Sequence, residues 1–135
     1  MKAGQQTFEP NTKDGHVAIS VVIDDLADGE FDLYFSTSGG AAPVGRAAIR
    51  LLEGQTVWVK HIEVEPAFRR KGYGSAFVQW MHRVCAAPIV PVEERGDGPA
   101  FWAAMRTTTL FSGSVADGIS RTTYTVALRQ LGLVS

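Results

Sequence analysis

Alternating apolar and polar residues in the first half of the chain predict four β-strands. Apolar residues recur at every second position, which is the period of a strand with one buried face. The predicted strands cover residues 16–23, 31–36, 44–52 and 56–65. A short turn joins the first two, so we expect them to form an antiparallel hairpin.

The fourth predicted strand changes its period in the middle. Val57 and Val59 are apolar at odd positions, whereas Ile62 and Val64 are apolar at even positions. A β-bulge near residues 60–61 would insert one residue and produce this change. A strand buried on both faces would also produce it, and the sequence leaves both interpretations open.

The second half of the chain mixes helical and strand-like segments. After Gly74 an apolar face recurs at spacings of three and four, which predicts an amphipathic helix. Its members are Phe77, Trp80, Met81, Val84 and Cys85. Further along, we expect a short strand at 89–92, a short helix at 99–106 and two strands at 110–115 and 122–128. This order predicts one α+β domain over residues 1–135, with a mixed, mostly antiparallel sheet, one long and one short helix, and a loose arm at residues 1–15.

Composition narrows the functional classes. The 135 residues are 45% hydrophobic with a formal net charge of -1, so no overall basic field argues for nucleic acid or an anionic membrane. A single cysteine gives no disulfide framework and no multi-cysteine metal site. No apolar run reaches the ~20 residues that span a bilayer, and the first residues lack a signal-peptide core. The default expectation is a cytoplasmic protein without a metal.

Acidic residues are locally dense around the first predicted hairpin turn. They are Asp24, Asp25, Asp28, Glu30 and Asp32. Such a cluster is most often the solvated end of a hairpin, and docking of a cationic substrate is the less common interpretation.

A basic, glycine-bearing loop follows the fourth predicted strand and leads directly into the long helix. It reads Arg69-Arg70-Lys71-Gly72-Tyr73-Gly74. Amides at a helix N-terminus lack intrahelical partners and carry the positive end of the helix dipole. Glycines let that backbone approach a phosphate, and the three cations add charge. A tight turn with solvated cations is the alternative. A third glycine and a following lysine are both missing, which argues against dinucleotide and Walker loops.

The pattern Arg69-x-x-Gly72-x-Gly74, preceded by Ile62-x-Val64-x-Pro66, resembles motif A of the GNAT superfamily of acyl-coenzyme A-dependent N-acetyltransferases. The resemblance is specific over residues 44–85. It implies acetyl-coenzyme A as acyl donor, an amine-bearing small molecule or protein as acceptor, and an oxyanion-type role for the Ile62 amide. It also implies a set of cofactor-binding residues. They are Ile62, Glu63, Val64, Arg69, Arg70, Lys71, Gly72, Tyr73, Gly74 and Ser75.

The sequence departs from this family at the positions that usually handle protons. Trp58 and Lys60 stand where a base often projects from the strand, and Trp102 stands where a tyrosine often serves as acid. Glu63 is the preferred substitute base, with His61 and Glu93 as further catalytic candidates. Other groups nearby are Glu65, Glu94, Tyr73 and Tyr124. A non-catalytic coenzyme A-binding or protein-interaction module is therefore the alternative function.

A second departure concerns the acceptor side. Members of the family usually have two helices between their first two strands, but only residues 24–30 separate these strands here. The chain resembles a compact variant without that helix pair. Either the acceptor groove is open, or a partner subunit covers it, which makes a homodimer a candidate assembly.

Overall fold

The computed structural model describes residues 1–8, 17–38, 42–94, 98–107 and 114–133. In this part of the chain, six strands form one sheet in the order β1-β2-β3-β4-β5-β6, and three helices accompany it. The strands are β1 Gly4–Phe8, β2 Ile19–Asp25, β3 Glu30–Thr37, β4 Pro43–Leu52, β5 Thr56–Val64 and β6 Ile89–Pro91. The helices are α1 Tyr73–Cys85, α2 Gly98–Thr107 and α3 Arg121–Gln130. The predicted α+β class with a mostly antiparallel mixed sheet is confirmed.

Strands β1 to β5 pair antiparallel, and β5 pairs parallel with β6. The alternation found in the sequence determines which side chains are buried, because successive side chains point to opposite faces. Val21, Leu33, Ile49 and Val57 therefore share one face and pack with α1 in the main core. Helix α1 turns its apolar side toward this core, where Trp80 is almost fully buried.

A third helix replaces the strand predicted at 122–128. Ser120 caps α3 because its side chain accepts a hydrogen bond from the Thr123 amide at 3.1 Å. Tyr124 and Leu128, one turn apart, are buried against Trp58 in a second, smaller core on the opposite face of the sheet. Thr, Tyr and Val favour strands, but the cap and this packing decide the local structure. The strand prediction for 122–128 was wrong.

The N-terminal segment is not wholly a loose arm. Gly4–Phe8 forms β1, which pairs with β2 from Gly4↔Ile23 to Phe8↔Ile19. Phe8 is buried, and Gln6 accepts a hydrogen bond from the Trp80 indole at 3.1 Å. These two contacts fix a mostly polar segment that has no apolar period of its own. Residues 9–15 of the predicted arm lie outside the described residues.

Two further predictions concern the end of the chain. Helix α2 confirms the short helix predicted at 99–106. Of the strand predicted at 110–115, residues 110–113 lie outside the described part, and Val115 forms a single parallel bridge to Ile89. None of the described helices is long and apolar enough to cross a bilayer.

Part of the face of β2, β3 and β4 opposite α1 is exposed to solvent, although Ser20 and Arg50 on this face are buried. Val22 and Tyr34 are register partners on that face, and they are 42% and 43% exposed. The hairpin between β2 and β3 is short because Ala27, Asp28 and Gly29 all take positive φ angles, which makes the tight turn. No helix stands between these two strands. Because β1 precedes them, they are the second and third strands, and the expectation about the first two strands now concerns residues 9–18, of which 9–16 lie outside the described residues.

Candidate functional site

A β-bulge divides β5 into two halves. Ala48 is the register partner of His61 and Ile49 that of Val59, which leaves Lys60 as the extra residue. The bulge predicted near residues 60–61 is therefore present. The alternative interpretation also holds in part, because Val57, Trp58 and Val59 are all buried, Trp58 by α3 and its neighbours by the main core.

The bulge changes the direction in which the backbone of β5 points. Before it, the Val57 amide donates to the Pro88 carbonyl at 2.8 Å and the Val59 carbonyl accepts from the Val92 amide at 2.9 Å, so odd residues face β6. After it, the Glu65 amide donates to the Val44 carbonyl on the β4 side at 2.6 Å. Backbone groups alternate sides along a strand. The amides and carbonyls of residues 62 and 64 consequently point away from β4.

Strand β6 does not follow β5 past the bulge. Their pairing runs from Val57↔Ile89 to Val59↔Pro91, and the Val92–Val59 hydrogen bond is the last between them. The two strands thus separate and leave a cleft of about 330 Å³. Its lining includes His61, Ile62, Glu93, Trp102 and Arg121. The outward backbone of β5 beyond the bulge is available on this side for an extended ligand, like a strand edge.

The N-terminus of α1 provides unpaired amides beside the same strand. The first intrahelical hydrogen bond runs from the Ala76 amide to the Gly72 carbonyl, so Tyr73, Gly74 and Ser75 have no intrahelical acceptor. No side chain caps this end, and its first turn contains no acidic residue. These features, together with the helix dipole, give this end a chemistry that suits an anion.

Two glycines allow this backbone geometry. Gly72 precedes the helix with a φ of 90°, in the left-handed region that costs other residues energy. Gly74 lies against α2, where a Cβ atom would come within 2.9 Å of the Phe101 ring. The second glycine therefore serves close packing between α1 and α2.

The three cations of the loop differ in their contacts. Arg69 turns back toward β5, and its Nε donates to the Val64 carbonyl at 2.9 Å. Lys71 has its Nζ 6.0 Å from the centre of the Phe68 ring. The Arg70 side chain is exposed, and its backbone has a positive φ of 60°. In this structure Arg69 thus binds the Val64 carbonyl, which belongs to a residue that the family resemblance implies for cofactor binding.

The three catalytic candidates occupy different positions around the cleft. His61 lines it, and its Nε2 lies 3.3 Å from Glu63 Oε2. Glu63 does not line the cleft and is also 3.8 Å from Arg46 Nε. Glu93 lines the cleft from the segment that follows β6, with Arg121 Nε 3.2 Å from its Oε2. Hence the structure brings His61 and Glu93 to the same cleft and places Glu63 behind His61.

The remaining acidic and tyrosine candidates have other surroundings. Glu94 is held by Arg106 at 2.7 Å, and Glu65 is exposed. Tyr73 packs edge-on against Phe68, with 5.5 Å between the ring centres. The Tyr124 ring packs against Trp58, and its buried hydroxyl has no hydrogen-bond partner among the described residues.

The unusual residues at the proton-handling positions are integrated into the fold. Trp58 and Trp102 are 6% and 3% exposed. Lys60 donates a short hydrogen bond to Glu30 across β4 and is thereby paired with a carboxylate. Burial raises the pKa of the Cys85 thiol to about 11, against the weaker opposite influence of the N-terminal ammonium. This thiol is protonated at neutral pH and is no nucleophile for the cleft.

Sequence reasoning missed Arg121, which lines the cleft and pairs with Glu93. Arg121 was not recognised because residues 122–128 were predicted to form a strand and not a helix. The signal was present: Ser120 is a good N-cap residue, and Tyr124 and Leu128 stand four apart. Within the described ranges, no three His, Cys, Asp or Glu side chains gather in a way that could hold a metal ion.

Comparison with known proteins identifies one family. The model described as the acetyltransferase (GNAT) family matches residues 6–88, which is more than half of the chain. The matched segment runs from β1 to the residue before β6 and includes the bulge, the basic loop and α1. No curated protein matches the chain.

Proposed function

Because the chain belongs to the acetyltransferase (GNAT) family, we propose that it transfers the acetyl group of acetyl-coenzyme A to an amine. The observation that carries the proposal is the junction of two features. The cleft edge of β5 turns the backbone of Ile62 and Val64 outward, and the uncapped N-terminus of α1 lies at the end of the loop that follows. The first feature suits an extended amide-bearing arm, and the second suits a pyrophosphate.

The residues that would hold the donor follow from this geometry. The amides of residues 70–75 would bind the pyrophosphate, with Arg70 and Lys71 adding charge. The main chain of Ile62 and Val64 would hold the arm. The Glu63 main chain, which the resemblance also implied, faces β4 at Gly45 and is not available to the arm. The donor supplies an activated acyl carbon, and the Ile62 amide points into the cleft where an oxyanion needs a hydrogen-bond donor.

The amine must lose a proton when its nitrogen bonds to carbon, and the departing sulfur must gain one. We assign the removal of the proton from the amine to His61. This side chain lines the cleft, and its Nε2 contacts the carboxylate of Glu63. Glu63 Oε2 lies 3.3 Å from the His61 Nε2 and orients the ring. Glu93, which is paired with Arg121, is the alternative base.

A non-catalytic coenzyme A-binding module is the second candidate. Trp102 at the usual acid position and the pairing of Lys60 with Glu30 favour it. Both candidates require the donor to bind, and only the first requires turnover.

A thermal-shift titration with acetyl-coenzyme A tests binding. Saturation at about 100 times Kd adds about 2.7 kcal/mol of stability, which raises Tm by several degrees. Gly74→Glu should abolish this shift because it places a carboxylate at the anion site, whereas Gly74→Gln, which meets the Phe101 ring in the same way but is neutral, should weaken it less. An unchanged wild-type Tm would exclude both candidates. Thiol release with a panel of amines then separates them, because the module gives a shift without release.

A further inference from the structure

A groove crosses the open face of the sheet and ends at the cleft. The register places Asp32 on β3, Ala48 on β4 and His61 on β5 in one row across the strands. Ala48 is the smallest of the three and forms the floor between two larger side chains. A cavity of about 120 Å³ lies here, lined by Asp32, Tyr34, Arg46, Ala47, Ala48 and His61.

The neighbouring rows form the walls of this groove. On one side the register aligns Tyr34, Arg46 and Glu63. Arg46 Nε and Glu63 Oε2 are 3.8 Å apart. These residues stand two positions from those of the groove row on each strand, so they project from the same face. The exposed Tyr34 ring therefore rises beside Asp32.

The opposite wall is a charged network around one carboxylate. Glu30 on β3 accepts a short hydrogen bond from Lys60 and lies 3.8 Å from Arg50 Nη1. Lys60 and Arg50 on this wall thus share the Glu30 carboxylate. On the other wall, Arg46 is paired with Glu63. Each cation beside the groove already has an acidic partner.

Asp32 differs from these residues. In the part of the chain that the structure describes, its half-buried carboxylate takes part in no hydrogen bond or ion pair. Its partner in the register toward the sheet edge is another acid, Asp24, and like charges opposite each other are destabilising. The far end of the groove therefore lacks a cation, and the Tyr34 face beside it also favours one.

The groove and the cleft adjoin at His61, which lines both. Asp32 and His61 are two strand spacings apart, roughly 10 Å. We propose that the acceptor is a linear diamine or polyamine, with its reacting amine at His61 and a second, distant ammonium at Asp32 beside Tyr34. This inference rests on the proposed acetyl transfer for the identity of the reacting end, and it adds the substrate class.

Binding and turnover are measured separately so that the two proposals can fail independently. Calorimetry on the protein saturated with coenzyme A compares 1,8-diaminooctane with octylamine, and 1,3-diaminopropane with propylamine. The long diamine should bind about three- to tenfold more tightly than octylamine, because it alone can span the roughly 10 Å and gain a partly solvated ion pair. The short pair should differ little.

Asp32→Asn should remove the preference for the long diamine and leave octylamine binding unchanged. Asp28→Asn is the matched control: it makes the same charge change at the hairpin turn, and asparagine tolerates the φ of 57° there. It should retain the preference. Raising the salt concentration should weaken the long diamine more than octylamine.

Equal binding of the long diamine and octylamine would overturn the inference, as would an equal effect of Asp32→Asn on both. Thiol release is then followed with the same four amines. Tight binding of the long diamine without release would leave the groove in place and contradict the transfer reaction. Thiol release with equal KM values for 1,8-diaminooctane and octylamine would support the transfer reaction. It would contradict the role of the groove in binding the second ammonium.

Discussion

Arg69 Nε donates a hydrogen bond to the Val64 carbonyl at 2.9 Å, which joins the basic loop to the last residue of β5. The bond crosses the short 3₁₀ turn Pro66–Phe68 and fixes how the loop leaves the strand. Arg69 therefore has a geometric role that the charges of Arg70 and Lys71 do not share. The amides at the start of α1 depend on this geometry for their position.

This contact predicts that Arg69 acts through its shape and Arg70 through its charge. Arg69→Ala should lower the free energy of unfolding by about 0.5–1 kcal/mol, the contribution of a partly solvated hydrogen bond, and weaken coenzyme A binding. Arg69→Lys keeps the charge but lacks the guanidinium Nε. Its stability and its coenzyme A affinity should therefore be as low as those of Arg69→Ala. Denaturant unfolding and calorimetry with coenzyme A check both effects. Full recovery in Arg69→Lys would contradict the geometric role.

Arg70 supplies the matched comparison for this pair. Arg70→Gln should leave unfolding within about 0.5 kcal/mol of the wild type, since its side chain is exposed. Its coenzyme A affinity should fall, and the loss should shrink at high salt.

The contact between Gly74 and Phe101 predicts a change of sign in a double-mutant cycle. Gly74→Ala improves helix propensity by about 1 kcal/mol, but its Cβ would meet the Phe101 ring at 2.9 Å. Because overpacking typically costs 1–3 kcal/mol, we expect Gly74→Ala to destabilise the wild type by about 1 kcal/mol. In a Phe101→Ala background the same change should be stabilising. Denaturant unfolding of the four proteins gives the coupling, and additive effects would refute the contact.

Gly45 is predicted to be essential for the pairing of β4 with β5. A Cβ at this position would overlap the Glu63 carbonyl oxygen and lie 2.6 Å from Phe35 Cζ. A backbone oxygen cannot move aside without separating the strands, so Gly45→Ala should cost about 3 kcal/mol of unfolding free energy. The adjacent exposed Arg46→Ala should cost at most about 0.5 kcal/mol. Thermal or urea unfolding checks both, and similar stabilities would contradict the close approach.

Much of the backbone geometry at the proposed donor site could be predicted from the sequence, because it is encoded locally. The switch from Val57 and Val59 to Ile62 and Val64 marks the bulge, and Gly72 marks the turn into α1. Local period and backbone chemistry determine both features. The strand–loop–helix order then follows along a continuous stretch of chain.

The groove proposed for the acceptor could not be predicted in the same way, because its residues meet only through the sheet register. Asp32, Ala48 and His61 are far apart in the sequence, and their row depends on two strand pairings and on the bulge at Lys60. Strand β1 was missed because its stability comes from pairing with β2 and from the contact between Gln6 and Trp80. A polar edge strand carries little periodic signal of its own.

The buried thiol of Cys85 predicts a pH dependence of stability. Burial raises its pKa from 9.0 to about 11. The unfolded thiol therefore ionises before the folded one, so its contribution to stability is fully present below about pH 9 and is lost between about pH 9 and 11. The free energy of unfolding, measured in urea from pH 8 to 11, should fall more steeply for the wild type than for Cys85→Ala. At pH 8 the native thiol should react slowly with a disulfide reagent and rapidly in urea, and equal rates would contradict its burial.

The positions of His61 and Glu63 predict different kinetic effects for two similar substitutions. His61 lines the cleft, and Glu63 contacts it from outside at 3.3 Å. If His61 takes the proton from the amine, His61→Gln should lower kcat by about 100-fold or more. Glu63→Gln should lower kcat less, because it removes only the contact that orients the imidazole. Glu93→Gln serves as the comparison at the other wall of the cleft. A larger loss of kcat in Glu63→Gln than in His61→Gln would instead identify Glu63 as the base, and a large loss confined to Glu93→Gln would identify Glu93.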